Sequence, residues 1–295
     1  MLPQRLHQHI CELLSLALQK EVKEVFVKSI GGGSINQTYQ LQLADGSFYF
    51  CKINSASAFP HLFLKEKRGL EILGQTGAIH VPQVIVVSHF EDQQILILEW
   101  IESGVKDKSF FKDFGEQLAA LHQHTQPQFG LDEDNYMGSV PQQNKPMVDW
   151  SQFFIQARLQ PMVKACMDKA LLTATDGQLF EALYKKLPQI FDDAQKPALL
   201  HGDLWSGNYM CNSKQQPVLI DPAVYYGHPA ADLGLTTLFG GFDNAFYESY
   251  HYHQPLPANH RQQWEVCNLY PLLIHLLLFG KSYYSGIQQT LKTFA

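Results

Sequence analysis

Apolar residues recur at helical spacing from the start of the chain. Leu6, Ile10, Leu13, Leu14 and Ala17 fall on one side of a helix, with Glu12 among them. The period then shortens to two. Val25-Phe26-Val27 reads as a strand entering the turn Gly31-Gly32-Gly33-Ser34-Ile35-Asn36, and Tyr39, Leu41 and Leu43 alternate with Gln40 and Gln42 in the strand after it. Asp45-Gly46 marks a tight hairpin into a third strand, Phe48 to Ile53. A helix with Phe63, Leu70 and Leu73 on its apolar side follows, and the runs Val84 to Val87 and Ile95 to Leu98 complete a five-stranded antiparallel sheet. Beyond residue 100 the helical period returns: Phe110, Phe111, Phe114, Leu118 and Leu121 share one side of a helix ending at His122 or His124, and the tail from Asn268 to Phe294 is helical. The stretch from Phe129 to Gln142 is rich in turn residues and reads as a loop, and Trp150, Phe153, Phe154, Arg158 and Leu159 form a mainly aromatic stripe after it. The pattern predicts an α+β chain in two parts, 1–99 built on the sheet and 100–295 mainly helical.

Composition narrows the function classes. With 295 residues, 45% of them hydrophobic, there is ample material for a core. A formal net charge of −6 argues against a surface built to neutralise nucleic-acid phosphate or anionic lipid, so any phosphate is expected to be bound locally. Five scattered cysteines, without a closely spaced pair, indicate neither a disulfide framework nor a zinc cluster, and a reducing cytoplasm is the simplest home. The thirteen histidines contain no compact metal-ligand pattern. The first twenty residues lack the basic start and long apolar block of a signal, and the run Leu269 to Gly280 is only about half a membrane span, which predicts a buried helix. A monomer is the simplest expectation for the assembly.

Candidate chemistry concentrates in His201-Gly202-Asp203-Leu204-Trp205-Ser206-Gly207-Asn208, followed by Asp221 at the end of the apolar run Pro217 to Ile220. A phosphotransferase loop needs a carboxylate to orient the acceptor hydroxyl, an amide oxygen for a metal and a second carboxylate for that metal. Asp203, Asn208 and Asp221 supply these groups in that order. The interval of five residues from Asp203 to Asn208 is the one found between Asp and Asn in the protein-kinase catalytic loop. Asp232 is expected to cap a helix and to support the backbone of that loop. Lys52 lies on a strand face with Phe48 and Phe50, where an ammonium needs an anionic partner; Glu66 is the candidate and Glu71 the alternative.

His201 to Asn208 with Asp221-Pro222-Ala223, together with Gly32 to Asn36, resemble the signature of the fructosamine 3-kinase family of ketosamine kinases. The resemblance covers nearly the whole chain. It implies a two-lobed protein-kinase-like fold, shared with aminoglycoside and choline kinases, with a nucleotide-binding N-lobe over 1–99 and a catalytic, acceptor-binding C-lobe over 100–295. It further implies transfer of phosphate from ATP to the 3-hydroxyl of a ketosamine, free or attached to protein, giving a labile product that leaves a deglycated amine. On this reading Gly32, Gly33 and Ser34 cover the phosphate chain, Lys52 neutralises it with support from Glu66, and the backbone from Glu99 to Ile101 reads adenine. Asn208 and Asp221 hold Mg²⁺, and Asp203 receives the hydrogen bond of the attacking hydroxyl.

Two departures from the family pattern stand out. His228-Pro229-Ala230-Ala231 replaces a more usual charged run, and Ser34 stands where some relatives carry a redox-active cysteine. A kinase of the same fold acting on an aminoglycoside, choline or another hydroxyl compound is the alternative. A non-catalytic nucleotide-binding module would typically have lost Lys52, Asp203 or Asp221, and all three are present. Gly202 occupies the place where regulated protein kinases often carry arginine, so no phosphorylation switch is expected. For the acceptor, Trp205, Tyr225 and His228 are the candidates. Trp205 itself has two readings, a core anchor or an indole face for a sugar.

Overall fold

The computed structural model of the chain describes residues 2–31, 35–191 and 195–295. The chain forms two compact units, one running to Lys106 and taking in Met210–Ile220, the other comprising Asp107–Tyr209 and Asp221–Ala295.

The first unit is built from α1 (Gln4–Leu18), β1 (Val25–Ile30), β2 (Gln37–Leu43), β3 (Phe48–Ser55), α2 (Leu62–Gln75), β4 (Val84–Phe90) and β5 (Gln93–Glu99). The strands form one antiparallel sheet in the order β1-β2-β3-β5-β4. Leu6, Ile10 and Leu14 of α1 share a buried core with Leu41, Cys51, Ile53 and Ile97. Because strand side chains alternate between faces, Cys51 and Ile53 facing that core send Lys52 to the opposite face. There α2 supplies Glu66, while Phe63, Leu70 and Leu73 bury its apolar side.

The second unit begins with α3 (Phe110–His122). The stretch expected to be a loop contains a short hairpin, β6 (Asn135–Met137) paired with β7 (Val140–Gln142), whose polar side chains turn inward instead of to water. Then come α4 (Trp150–Phe153), a π-helical turn at Phe154–Leu159, α5 (Gln160–Asp168) and α6 (Ala174–Ile190). The last of these starts at a capping box in which Thr173 and Asp176 satisfy each other's backbone N–H groups. After β8 (Ala198–Leu200), the hairpin of β9 (Tyr209–Cys211) and β10 (Pro217–Leu219) carries the chain into the first unit and back. Its turn is tied by Asn212 Oδ1, which accepts from the N–H groups of Lys214 and Gln216.

β11 (Tyr225–Gly227) then pairs antiparallel with β8, and α7 (Ala230–Leu238), α8 (Asn244–His253), α9 (His260–Cys267), α10 (Leu269–Phe279) and α11 (Tyr284–Phe294) complete the unit. The β8–β11 pairing fixes the start of the His201–Asn208 stretch, since it sets Leu200 opposite Tyr225 and so brings the segments on either side of the excursion together. As the apolar run predicted, α10 is mostly buried, and no described helix is long and apolar enough to cross a membrane. All five cysteines are buried free thiols.

Candidate active site

The loop from His201 to Asn208 owes its shape to two features of the sequence. Gly202 has φ +84°, and a Cβ on it would meet the carbonyl oxygen of Ala223 at 2.0 Å. Any other residue would be strained in the backbone and would collide with its neighbour. The glycine is therefore there because the Asp221 segment passes so close, a reason the sequence does not display. The second feature is Asp232, in the first turn of α7, which accepts hydrogen bonds from the N–H groups of His201 (2.8 Å) and Gly202 (2.9 Å). Expected both to cap its helix and to support the loop, it spends both oxygens on the loop. His122 Nε2 lies 3.2 Å from the same carboxylate, and its Nδ1 is 2.8 Å from the Tyr250 hydroxyl. Ala223 N–H donates to His201 O at 2.9 Å, which ties the two segments directly.

Asp203, Asn208 and Asp221 come together in the second unit. The Asn208 amide nitrogen donates to Asp203 twice, to its carbonyl at 2.9 Å and to Oδ2 at 3.0 Å. Burial, reinforced by the charges of Asp221 and Asp232 and opposed by the Asn208 hydrogen bond, pushes the Asp203 carboxyl up to about 7. A carboxyl held there can take a proton near neutral pH more readily than an ordinary aspartate. Asp221 has φ 54°, in the left-handed region that non-glycine residues seldom occupy.

On the first unit, Lys52 is 2% exposed and donates to Glu66 Oε1 at 2.7 Å. Glu71 instead faces Lys67 at 3.6 Å on the helix surface. Glu99, at the end of β5, accepts from Gln83 N–H through Oε2 at 3.1 Å. Among the described residues no backbone–backbone hydrogen bond engages Ile101. Gly32, Gly33 and Ser34 lie outside the described residues.

The candidate acceptor residues divide by burial. Trp205 is 37% exposed, edge-on to Phe239 at 5.8 Å, and a Cβ on Gly207 would come within 2.3 Å of its ring. The indole therefore lies over its own loop and is no core anchor. Tyr225 and His228, 2% and 5% exposed, are interior residues. The ring of Tyr225 stacks with Phe153, and that of His228 sits 5.2 Å from Phe191.

A family model described as fructosamine kinase matches residues 6–295 of the chain. A probable ketoamine kinase of Synechocystis is 39% identical over 270 residues, covering 90% of this chain and 88% of the relative. The chain belongs to the fructosamine kinase family. The crystal structure of a Thermobifida fusca protein described as a fructosamine-3-kinase superposes on this family member with a TM-score of 0.85 at 31% identity, covering 96% of this chain and 97% of that one. Choline kinase LicA from Streptococcus pneumoniae, at 17% identity, gives a TM-score of 0.64 over 99% of this chain and 100% of its own, a likeness of fold. The fold is thus the α+β two-lobed kinase-like type, with the antiparallel sheet in the first lobe and a largely helical second lobe.

A set of buried amides in this member of the fructosamine kinase family is not announced by its sequence pattern. Asn135 Nδ2 donates to Val224 O at 2.7 Å, and Gln142 Nε2 donates to Ala223 O at 3.1 Å. Asn144 Nδ2 donates to Asn135 Oδ1 at 2.9 Å. The available signal was the number of amides in a stretch with few charges, but polar residues between turn signals ordinarily read as a solvated loop.

Proposed function

We propose that this member of the fructosamine kinase family transfers the γ-phosphoryl group of ATP to the 3-hydroxyl of ketosamines, so that the labile product releases a deglycated amine. The protein is an ATP-dependent phosphotransferase acting on ketosamine sugar hydroxyls. The observation that carries the site assignment is the Asp203 carboxyl: oriented by Asn208, raised to about 7, and set in a loop whose backbone Asp232 grips.

Each residue has a definite task in that reading. Asp203 accepts the hydrogen bond of the acceptor hydroxyl and takes its proton as the new O–P bond forms. Lys52, aligned by Glu66, neutralises phosphate oxygens, with Gly32, Gly33 and Ser34 over the phosphate chain and the backbone of Glu99 to Ile101 against adenine. The unit built on the five-stranded sheet serves as the nucleotide-binding lobe and the mainly helical unit as the catalytic and acceptor-binding lobe. The exposed indole of Trp205 packs on the C–H face of the sugar, and Tyr225 and His228 support the acceptor side from the interior.

The donor set suits Mg²⁺. Asn208 commits its amide nitrogen to Asp203, which leaves Oδ1 as an oxygen donor, and Asp221 adds a carboxylate. Among the described residues no three His, Cys, Asp or Glu side chains cluster as a complete cage. Two protein oxygens accord with an ion that takes its other ligands from phosphate and water. When bound, Mg²⁺ offsets the charge of the phosphate oxygens. We assign the protein to the cytoplasm as a monomer, with free ketosamines or glycated proteins as substrates. An ATP-consumption screen across ribulosamine, erythrulosamine, fructosamine, choline and an aminoglycoside tests the acceptor class. Preferred turnover of either cationic alternative would overturn it.

A further inference from the structure

Arg158 lies in the π-helical turn Phe154–Leu159 and is wholly buried. Among the described residues it has no carboxylate partner. Nη1 donates to the carbonyls of Gln143 and Ala157, Nη2 donates to Asn144 Oδ1 at 2.8 Å, and Nε has no partner. The guanidinium carbon stands 4.1 Å over the ring of Tyr225 and 4.7 Å over that of Phe153. A cation is costly to bury, and an apolar side chain of the same length would avoid that cost, so packing alone gives no reason for an arginine here.

Its hydrogen bonds lead in one direction. Asn144, held by Arg158, donates to Asn135 Oδ1, which also accepts from Gln142 Nε2 at 2.9 Å. Asn135 and Gln142 then end on the carbonyls of Val224 and Ala223, three and two residues beyond Asp221. Tyr270, another ring under the guanidinium at 5.4 Å, donates to Gln142 Oε1 at 3.2 Å and fixes the orientation of that amide. A residue in the left-handed region, as Asp221 is, stays there only when its surroundings impose it. The relay is anchored by a charge that cannot be lost near neutral pH, and it constrains the two carbonyls that follow.

We propose that Arg158 is a positioning residue for phosphoryl transfer: through Asn144, Asn135 and Gln142 it fixes the 221–224 segment, and with it the angle at which Asp221 faces Asp203 and Asn208. The proposal rests on the kinase reading above. Arg158 touches no reacting atom and works through the backbone.

The test uses the full chain carrying Arg158→Met, which keeps the length and removes charge and donors. ADP is titrated calorimetrically with and without magnesium, and backbone amide exchange is followed over 219–226. Loss of a group that orients a metal-binding side chain typically weakens metal-dependent affinity by about tenfold or more. The dissociation constant for ADP with magnesium should rise by about that factor. ADP without magnesium should bind as to wild type, and exchange should accelerate over 219–226 but not in α3 or α8. Asn135→Leu cuts the relay at the residue where its two branches meet, makes no contact with the arginine and should give the same signature, so it decides the matter if Arg158→Met fails to fold. Wild-type magnesium-dependent affinity and wild-type exchange over 219–226 in a folded variant would overturn the proposal, whatever its melting temperature. A wild-type protein that binds no ADP would overturn the kinase reading, and the exchange arm would then decide the relay alone.

Discussion

Asp203→Asn should lower activity and raise stability, and the two effects have one cause. In the folded protein the carboxyl is pushed from its ordinary 3.8 to about 7, chiefly by burial and then by the Asp221 charge. Below about pH 4 both folded and unfolded chains hold the proton at this site. Between there and about 7 the folded chain keeps a proton that the unfolded chain has released, so stability falls as pH rises across that window. Above it the whole penalty of a buried, repelled carboxylate is present. A tenfold change in proton affinity corresponds to about 1.4 kcal/mol, but water reaches part of this half-buried group, so about 1–3 kcal/mol is the expected penalty at pH 8.

Asparagine removes the charge while its Oδ1 can still accept from Asn208. Melting of the ligand-free protein by circular dichroism should show Asp203→Asn a few degrees above wild type at pH 8, converging with it near pH 4. Turnover should fall by roughly 10²–10⁴-fold with nucleotide affinity nearly intact. A variant melting below wild type at pH 8 would refute the electrostatic account, and one with wild-type turnover would remove Asp203 from the chemistry.

Other substitutions address the remaining parts of the site. Asp221→Ala should abolish magnesium-dependent transfer and weaken nucleotide binding only when magnesium is present; calorimetry with and without the ion checks this, and unchanged magnesium dependence would send the metal assignment elsewhere. Trp205→Phe should raise the Michaelis constant for ketosamine much more than that for ATP with the melting temperature nearly constant, because the indole is exposed; equal changes in the two constants would count against a sugar-facing ring. Gly202→Ala should cost more than about 2 kcal/mol in denaturant unfolding, from the strained backbone and the Ala223 contact together, and a midpoint within error of wild type would contradict the close approach.

The parts of this site that were legible from sequence are those encoded locally. Alternation along β3 set Lys52 on one face of the strand, and the spacing of Asp203 and Asn208 survives because both sit on one short loop. Glu66, the candidate from sequence, is the residue that meets Lys52, while the alternative Glu71 faces Lys67; helix rotation, which the sequence leaves open, decides between them. Residues joined across long stretches stayed hidden. Gln142 and Ala223 are 81 positions apart, and no periodicity near Gln142 announces that its amide ends two residues beyond Asp221. The interior placement of Tyr225 and His228 was equally unreadable, because a three-residue strand is too short for alternation to assign the face of Tyr225, and His228 lies beyond its end. Gly202 could be read as the absence of an arginine, yet its physical reason is the passing Ala223 carbonyl.

Phosphoryl transfer to a ketosamine can be followed by ³¹P nuclear magnetic resonance of the wild-type protein with ATP, magnesium and a ketosamine made from ribose and a small primary amine. ADP and a new sugar phosphomonoester should appear in equal amounts, both forming at least about a hundredfold more slowly with Asp203→Asn, and on warming that ester should decay to inorganic phosphate with release of the amine. ATP consumed at the same rate without the ketosamine, or with no phosphomonoester formed, would contradict transfer to the ketosamine.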